Sequence, residues 1–110
     1  METVIINGIE WRITFVDHNS AMLFRSDGSH TIGMTDGNLR TMFLSDRLRG
    51  AMLEKVICHE LCHCICFSYD IHIPIQQEEF LAEWISLYGR EVIRILDDLL
   101  QKISKKAQNI

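Results

Sequence analysis

The chain has little of what marks a membrane, secreted or nucleic-acid-binding protein. No stretch of its 110 residues is apolar for long enough to span a bilayer. The N-terminus has no basic segment followed by an apolar run, so we expect no signal peptide. The net charge is -4, and the one basic cluster, Lys102, Lys105 and Lys106, is typical of a solvated helix end. We therefore expect neither a membrane nor a nucleic acid as a partner.

Repeats, low-complexity tracts and linkers are absent as well. The residues are 47% apolar and 24% charged, which is ordinary for a globular domain with one hydrophobic core. A length of 110 residues also suits one domain better than two. We predict a single domain over residues 1–110.

The four cysteines are crowded together, at positions 58, 62, 64 and 66. A secreted disulfide scaffold spreads its cysteines along the chain so that they can join distant loops. Cysteines on one predicted helix cannot do this. The pattern favours free, mostly buried thiols and a reducing cytoplasm.

The order of the elements predicts an α+β fold, with strands first and helices second. Thr3–Ile6 and Ile9–Val16 are β-like segments around Asn7-Gly8, a favoured hairpin turn. Two more short strands are predicted over residues 30–35 and 39–44, with a turn between them. We predict a small, mostly antiparallel sheet of three or four strands, with residues 39–44 at its edge.

Two helices follow the sheet in this prediction. The first begins at a cap on Ser45 or Asp46, ends near Ser68, and is apolar nearly all round from residue 56 to 67, as a buried central helix would be. Pro74 begins a long C-terminal helix. Its apolar residues recur at helical spacing from Leu81 onward, and we expect this stripe to pack in the core. A chain this short could also form a homodimer through such an amphipathic helix.

A His-Glu-Leu-Cys-His motif at residues 59–63 suggests a catalytic zinc ion. Two histidines four residues apart lie on one helix face, so the imidazoles of His59 and His63 can converge on one ion. Glu60 points to the flank of that face, where it can take a proton from a water molecule at the metal. The spacing thus predicts a zinc-dependent hydrolase with Glu60 as its general base.

Such a site needs a third ligand and an open position for water. The pattern with a third histidine six residues after the second fails, because Tyr69 stands there. A glutamate from the second helix is the alternative, with Glu78, Glu79 and Glu83 as candidates. We predict Glu79 as the ligand and Glu83 as a carboxylate that orients the ring N–H of His59. This assignment requires the acidic face of the second helix to point toward the first helix.

A rival site would use Cys62 and Cys66, which share the helix face of the two histidines. Four ligands on one straight helix all approach from one side and cannot surround an ion tetrahedrally, so we expect these cysteines to be packing residues. Two histidines and one carboxylate also suit iron, which the ligands alone do not distinguish from zinc. Tyr69, His72 and Tyr88 are candidates for a hydrogen-bond donor to an oxyanion.

The motif at 59–63, preceded by a short sheet and followed by a Glu-rich helix, resembles the ImmA/IrrE-type metallopeptidases. Within that family it is most similar to the short forms carried by bacteriophages and other mobile elements. The core of the resemblance covers roughly residues 35–90. It implies a minimal zincin of the gluzincin type, with zinc held by His59, His63 and Glu79, and with Glu60 as the base.

The resemblance also implies a biological setting. Longer relatives cleave transcriptional repressors and often have a DNA-binding or sensory domain, for which we expect no room here. We therefore expect a protein or peptide substrate, such as a repressor, in the cytoplasm of a bacterium or a phage-infected host. Two alternatives remain: a catalytically silent zincin-fold protein that acts by binding, and a small structural domain with a Cys–His zinc site or no metal.

Overall fold

A computed structural model describes residues 2–108 of the chain. Met1, Asn109 and Ile110, which the single-domain prediction includes, lie outside these described residues. The elements are, in chain order, β1 (Glu2–Ile6), β2 (Ile9–Val16), β3 (Gly33–Asp36), β4 (Thr41–Ser45), α1 (Gly50–Ser68) and α2 (Ile75–Gln108). A four-stranded sheet followed by two helices confirms the α+β class and the order of strands before helices.

The sheet is mixed, with the strand order β1-β2-β4-β3. The β1–β2 hairpin turns at Asn7-Gly8, where both residues have positive φ. After β2 the chain crosses to the far edge, runs back as β3 and turns again into β4. Strand β4 therefore lies parallel to β2, whereas the other two pairings are antiparallel, as expected for a mostly antiparallel sheet. The prediction that residues 39–44 form the edge was wrong, because β4 is an inner strand, buried along its length, and the two edge strands are β1 and β3.

Helix α1 covers one face of the sheet. The central core joins Trp11, Met42 and Leu44 of the sheet to Leu48 and to Cys64 of α1. The buried indole Nε1 of Trp11 donates a hydrogen bond to Ser68 Oγ at 2.8 Å, which attaches the last turn of α1 to the sheet.

Helix α1 begins later than the sequence suggested. Ser45 still belongs to β4, the backbone N–H of Asp46 donates to Val16 O at 2.9 Å, and the cap position is taken by Arg49 in an extended conformation. The helix begins instead at Gly50, whose φ of +56° is easily adopted by glycine.

Strand β3 approaches α1 very closely at a glycine. A Cβ atom on Gly33 would lie 2.6 Å from Val56 Cγ1 and 3.3 Å from Glu60 Cγ, so only glycine fits there without displacement of α1. This contact places the edge strand directly beside Glu60 of the predicted motif.

Helix α2 spans 34 residues, or about 50 Å, and extends well beyond the rest of the molecule. Its first turns pack on α1 through the buried Ala82 and through an acidic face. The apolar stripe that was predicted to enter the core is instead exposed, with Trp84 at 42% and Leu99 at 49%. That prediction was wrong. Neither α2 nor any other helix within residues 2–108 has the length and apolarity that a membrane crossing requires.

Candidate metal centre

The two motif histidines lie one turn apart on the face of α1 that points toward α2. Their ring centroids are 5.3 Å apart, and the side chains of His59 and His63 are only 20% and 12% exposed. Helical geometry dictates this placement, because residues four apart are stacked along the axis. The Nε2 atoms of both rings point toward the start of α2.

Glu79 faces both histidines from the second turn of α2. Its Oε1 lies 2.8 Å from His63 Nε2, and its Oε2 lies 3.2 Å from His59 Nε2. One donor atom from each of the three residues lies within 4.8 Å of the others, a group that could hold a metal ion. Of the three candidate glutamates, Glu79 is the one that meets both Nε2 atoms.

Two further carboxylates contact the opposite nitrogens of the rings. Glu83 Oε2 lies 3.4 Å from His59 Nδ1, and Glu78 Oε2 lies 2.5 Å from His63 Nδ1. A carboxylate on Nδ1 holds the proton there and leaves the Nε2 lone pair free for a metal. Lys55 Nζ, 3.0 Å from Glu83, donates a hydrogen bond that lowers the pKa of this carboxyl group and keeps it charged.

Glu60 is buried, at 7% exposure, and its orientation is set by the edge strand. The hydroxyl of Thr35 on β3 donates to Glu60 Oε1 at 2.9 Å. The carboxylate of Glu60 nevertheless lines the same cleft as the histidines. It thus lies beside the candidate metal ligands without belonging to the group itself.

An open cleft of about 650 Å³ runs past these side chains, between β3 and the start of α2. Its lining includes the apolar side chains of Phe67, Ile71 and Ile75, and also Arg25. Among the three candidate oxyanion donors, only His72 lines this cleft, and its Nε2 lies 2.7 Å from Asp70 Oδ1. Tyr69 and Tyr88 are exposed elsewhere on the surface.

The cysteines are free thiols and do not join the candidate ligands. Within residues 2–108, the histidine–glutamate set is the only group of three or more metal-binding side chains close enough to share an ion. Burial raises the pKa of Cys62 to about 11 and that of Cys64 to about 12, which keeps both thiols protonated near neutral pH. The cysteines lie outside the group of side chains that could share an ion, in agreement with a packing role.

The sequence analysis missed one residue of this site, Thr35, and proposed a different contact for a second, Glu78. Thr35 has no signal in the sequence, because its contact with Glu60 spans 25 residues and depends on the edge position of β3. Glu78 was a candidate for the metal ligand, whereas the structure places it on the outer nitrogen of His63. Glu78 and Glu79 are neighbours in sequence, and the rotation of α2 relative to α1 decides which ring nitrogen of His63 each one contacts.

Comparison of this sequence and structure with protein-family profiles, with curated proteins and with solved structures finds no match.

The contact between Glu78 and His63 leads to a first prediction. A Glu78→Gln variant should bind zinc about 10–100-fold more weakly, because the amide cannot support the ring N–H of His63 with a full negative charge. Competition with a coloured chelator would measure the dissociation constant. Glu91→Gln removes the same charge from an exposed position of α2 and serves as the control. Equal affinities of the two variants would show that Glu78 does not support the site.

Proposed function

We propose that this protein is a zinc-dependent metallopeptidase, as its resemblance to the ImmA/IrrE-type enzymes implies. One observation supports this most: the Nε2 atoms of His59 and His63 and the carboxylate of Glu79 converge beside the buried Glu60 in an open cleft. Two imidazoles, one carboxylate and an open side are the ligand set of many catalytic zinc sites. The same donors also suit iron, so the metal itself is part of the proposal.

In such a site, different residues of the protein would hold the metal ion and orient its ligands. His59, His63 and Glu79 would hold the ion, and Glu83 and Glu78 would fix the two rings. When bound, zinc supplies a Lewis acid that polarises a peptide carbonyl and lowers the pKa of a water molecule.

Glu60 supplies the proton transfer in this proposal. It would accept a proton from the attacking water and donate it to the departing amine. The hydroxyl of Thr35 holds one oxygen of Glu60, which leaves the second oxygen for this proton. Burial between β3 and α1 limits the orientations of Glu60 and keeps it beside the ligands.

The edge strand offers a place for the substrate. The outer edge of β3 has no neighbouring strand among the described residues, and it runs past Glu60 along the cleft. An extended peptide can add to such an edge through backbone hydrogen bonds. The substrate would thus be an extended segment of a protein. The family resemblance adds that this protein would be one such as a repressor, in the cytoplasm of a bacterium or a phage-infected host.

Metal content per chain is the experiment that tests the proposal first. Protein purified without a tag or a chelator should contain about one zinc per chain by mass spectrometry. A His63→Gln variant should lose the zinc, whereas His72→Gln, which changes an 83% exposed histidine of the same cleft, should retain it. No metal, with none taken up on addition of zinc, would mean that the motif histidines are ordinary packing residues and that the proposal fails.

A further inference from the structure

The exposed side of α2 is the largest feature of the molecule that the metal site does not use. Every residue from 90 to 107 is exposed, and at the start of this range Arg90 forms an ion pair with Glu54 of α1 at 2.8 Å. Besides Leu87, which lies on the opposite side of the helix, α2 has ten apolar side chains between residues 84 and 103 that are each 42–61% exposed. They are Trp84, Ile85, Tyr88, Val92, Ile93, Ile95, Leu96, Leu99, Leu100 and Ile103.

These ten side chains, which we call the α2 stripe, lie on one side of the helix. At 100° per residue they occupy about half of its circumference, while Arg90, Arg94, Asp97 and Gln101 occupy the other half. Their remaining cover comes mainly from neighbours on the same helix, which are three and four residues away. A stripe this long and continuous is unusual on the surface of a monomer and marks an interface.

We infer that the α2 stripe is the interface of a homodimer in which the α2 helices of two chains pack antiparallel. Ten half-exposed side chains of this size amount to roughly 800–1,000 Å² of surface, close to the roughly 800 Å² that each partner contributes to a standard stable interface. The stripe is thus large enough to hold two copies together.

The spacing within the stripe favours the antiparallel arrangement. The residues along its centre are separated by 4, 4, 3, 4 and 4 positions, a pattern that is the same from either end: Trp84, Tyr88, Val92, Ile95, Leu99 and Ile103. A second copy running the opposite way therefore sets Trp84 against Ile103 and Val92 against Ile95. Trp84 and Tyr88, near the first turns of α2, then pack on Ile103 and Leu99 near the C-terminal end of the partner helix.

Charge also favours this direction. A parallel pair would bring Lys102, Lys105 and Lys106 of both chains side by side, where like charges repel. An antiparallel pair separates the two basic ends by about the length of the stripe, roughly 30 Å. It also places the two sheet domains at opposite ends of the helix pair.

Sedimentation velocity of the full chain over a wide range of concentration tests the inference. The wild type should sediment as a dimer, and Leu99→Glu should raise the dimer dissociation constant by about 100-fold or more. Gln101→Glu adds the same charge to the opposite face of the same helix and should leave the constant unchanged. A wild type that remains monomeric at every concentration overturns the inference, as does equal weakening by both variants.

Disulfide trapping tests the direction of the helices without relying on a disruptive variant. A mixture of Val92→Cys and Ile95→Cys chains should form a disulfide-linked dimer under mild oxidation. Wild-type protein, oxidised in the same way, gives the baseline amount of cross-linked dimer that the four natural cysteines produce. Each variant alone should not exceed that baseline. Cross-linking of either variant alone would indicate a parallel pair and overturn the arrangement. Neither measurement involves the metal site, so the outcome is independent of the proposed peptidase function.

Discussion

A Glu60→Gln variant should contain as much zinc as the wild type but hydrolyse peptides about 10²–10⁴ times more slowly. Glutamine has the same shape and can still accept the hydrogen bond from Thr35, so the packing between β3 and α1 is preserved. It cannot accept a proton, which removes the general base from the reaction. Mass spectrometry of a peptide library after incubation with the zinc-loaded protein would measure the rate.

Glu54→Gln is the matched control for this variant. Glu54 lies on the same helix, is exposed, and forms an ion pair with Arg90 at 2.8 Å away from the cleft, so its loss should leave the rate unchanged. Equal rates of Glu60→Gln and the wild type would show that Glu60 is not the base. A wild type that binds one zinc and cleaves nothing would favour the alternative of a catalytically silent binding protein on the same fold.

Zinc should stabilise the wild type strongly, and a Glu79→Gln variant should lose this stabilisation. A ligand that binds only the folded state at 100 times its dissociation constant adds about 2.7 kcal/mol to the free energy of unfolding, or about 10 °C in Tm. The ion would join α1 to α2, which otherwise meet through few buried side chains besides Ala82. Without the Glu79 carboxylate, the two histidines alone cannot join the helices. Thermal unfolding at increasing zinc concentration measures the effect.

The exposed Glu91→Gln variant should show the full increase in Tm with zinc, because it removes the same charge from α2 far from the site. If Glu79→Gln were stabilised as much as this control, the third ligand would be another carboxylate. Glu78 would then be the first candidate, because it already contacts His63 on its other ring nitrogen.

Local geometry explains why part of the site could be predicted. The placement of His59 and His63 on one helix face follows from the helical repeat alone, and so does the pairing of Glu79 with Glu83 on the next helix. The structure places Glu83 on the His59 ring and Glu79 on both Nε2 atoms, while their roles as orienting carboxylate and metal ligand stay predictions. These expectations followed from the helical repeat within each helix, together with one assumption: that the acidic face of the second helix points toward the first.

The sequence by itself determined the α+β class, the order of strands before helices, and the residues that share each helix face. Only the tertiary structure decided that β3 forms the edge, that Thr35 reaches Glu60, and that α2 turns its acidic side to α1 while its apolar side stays exposed. The physical reason is that periodicity states which residues lie together on a face but not what that face meets. Strand order and helix orientation depend on contacts between residues far apart in sequence, which no local pattern records.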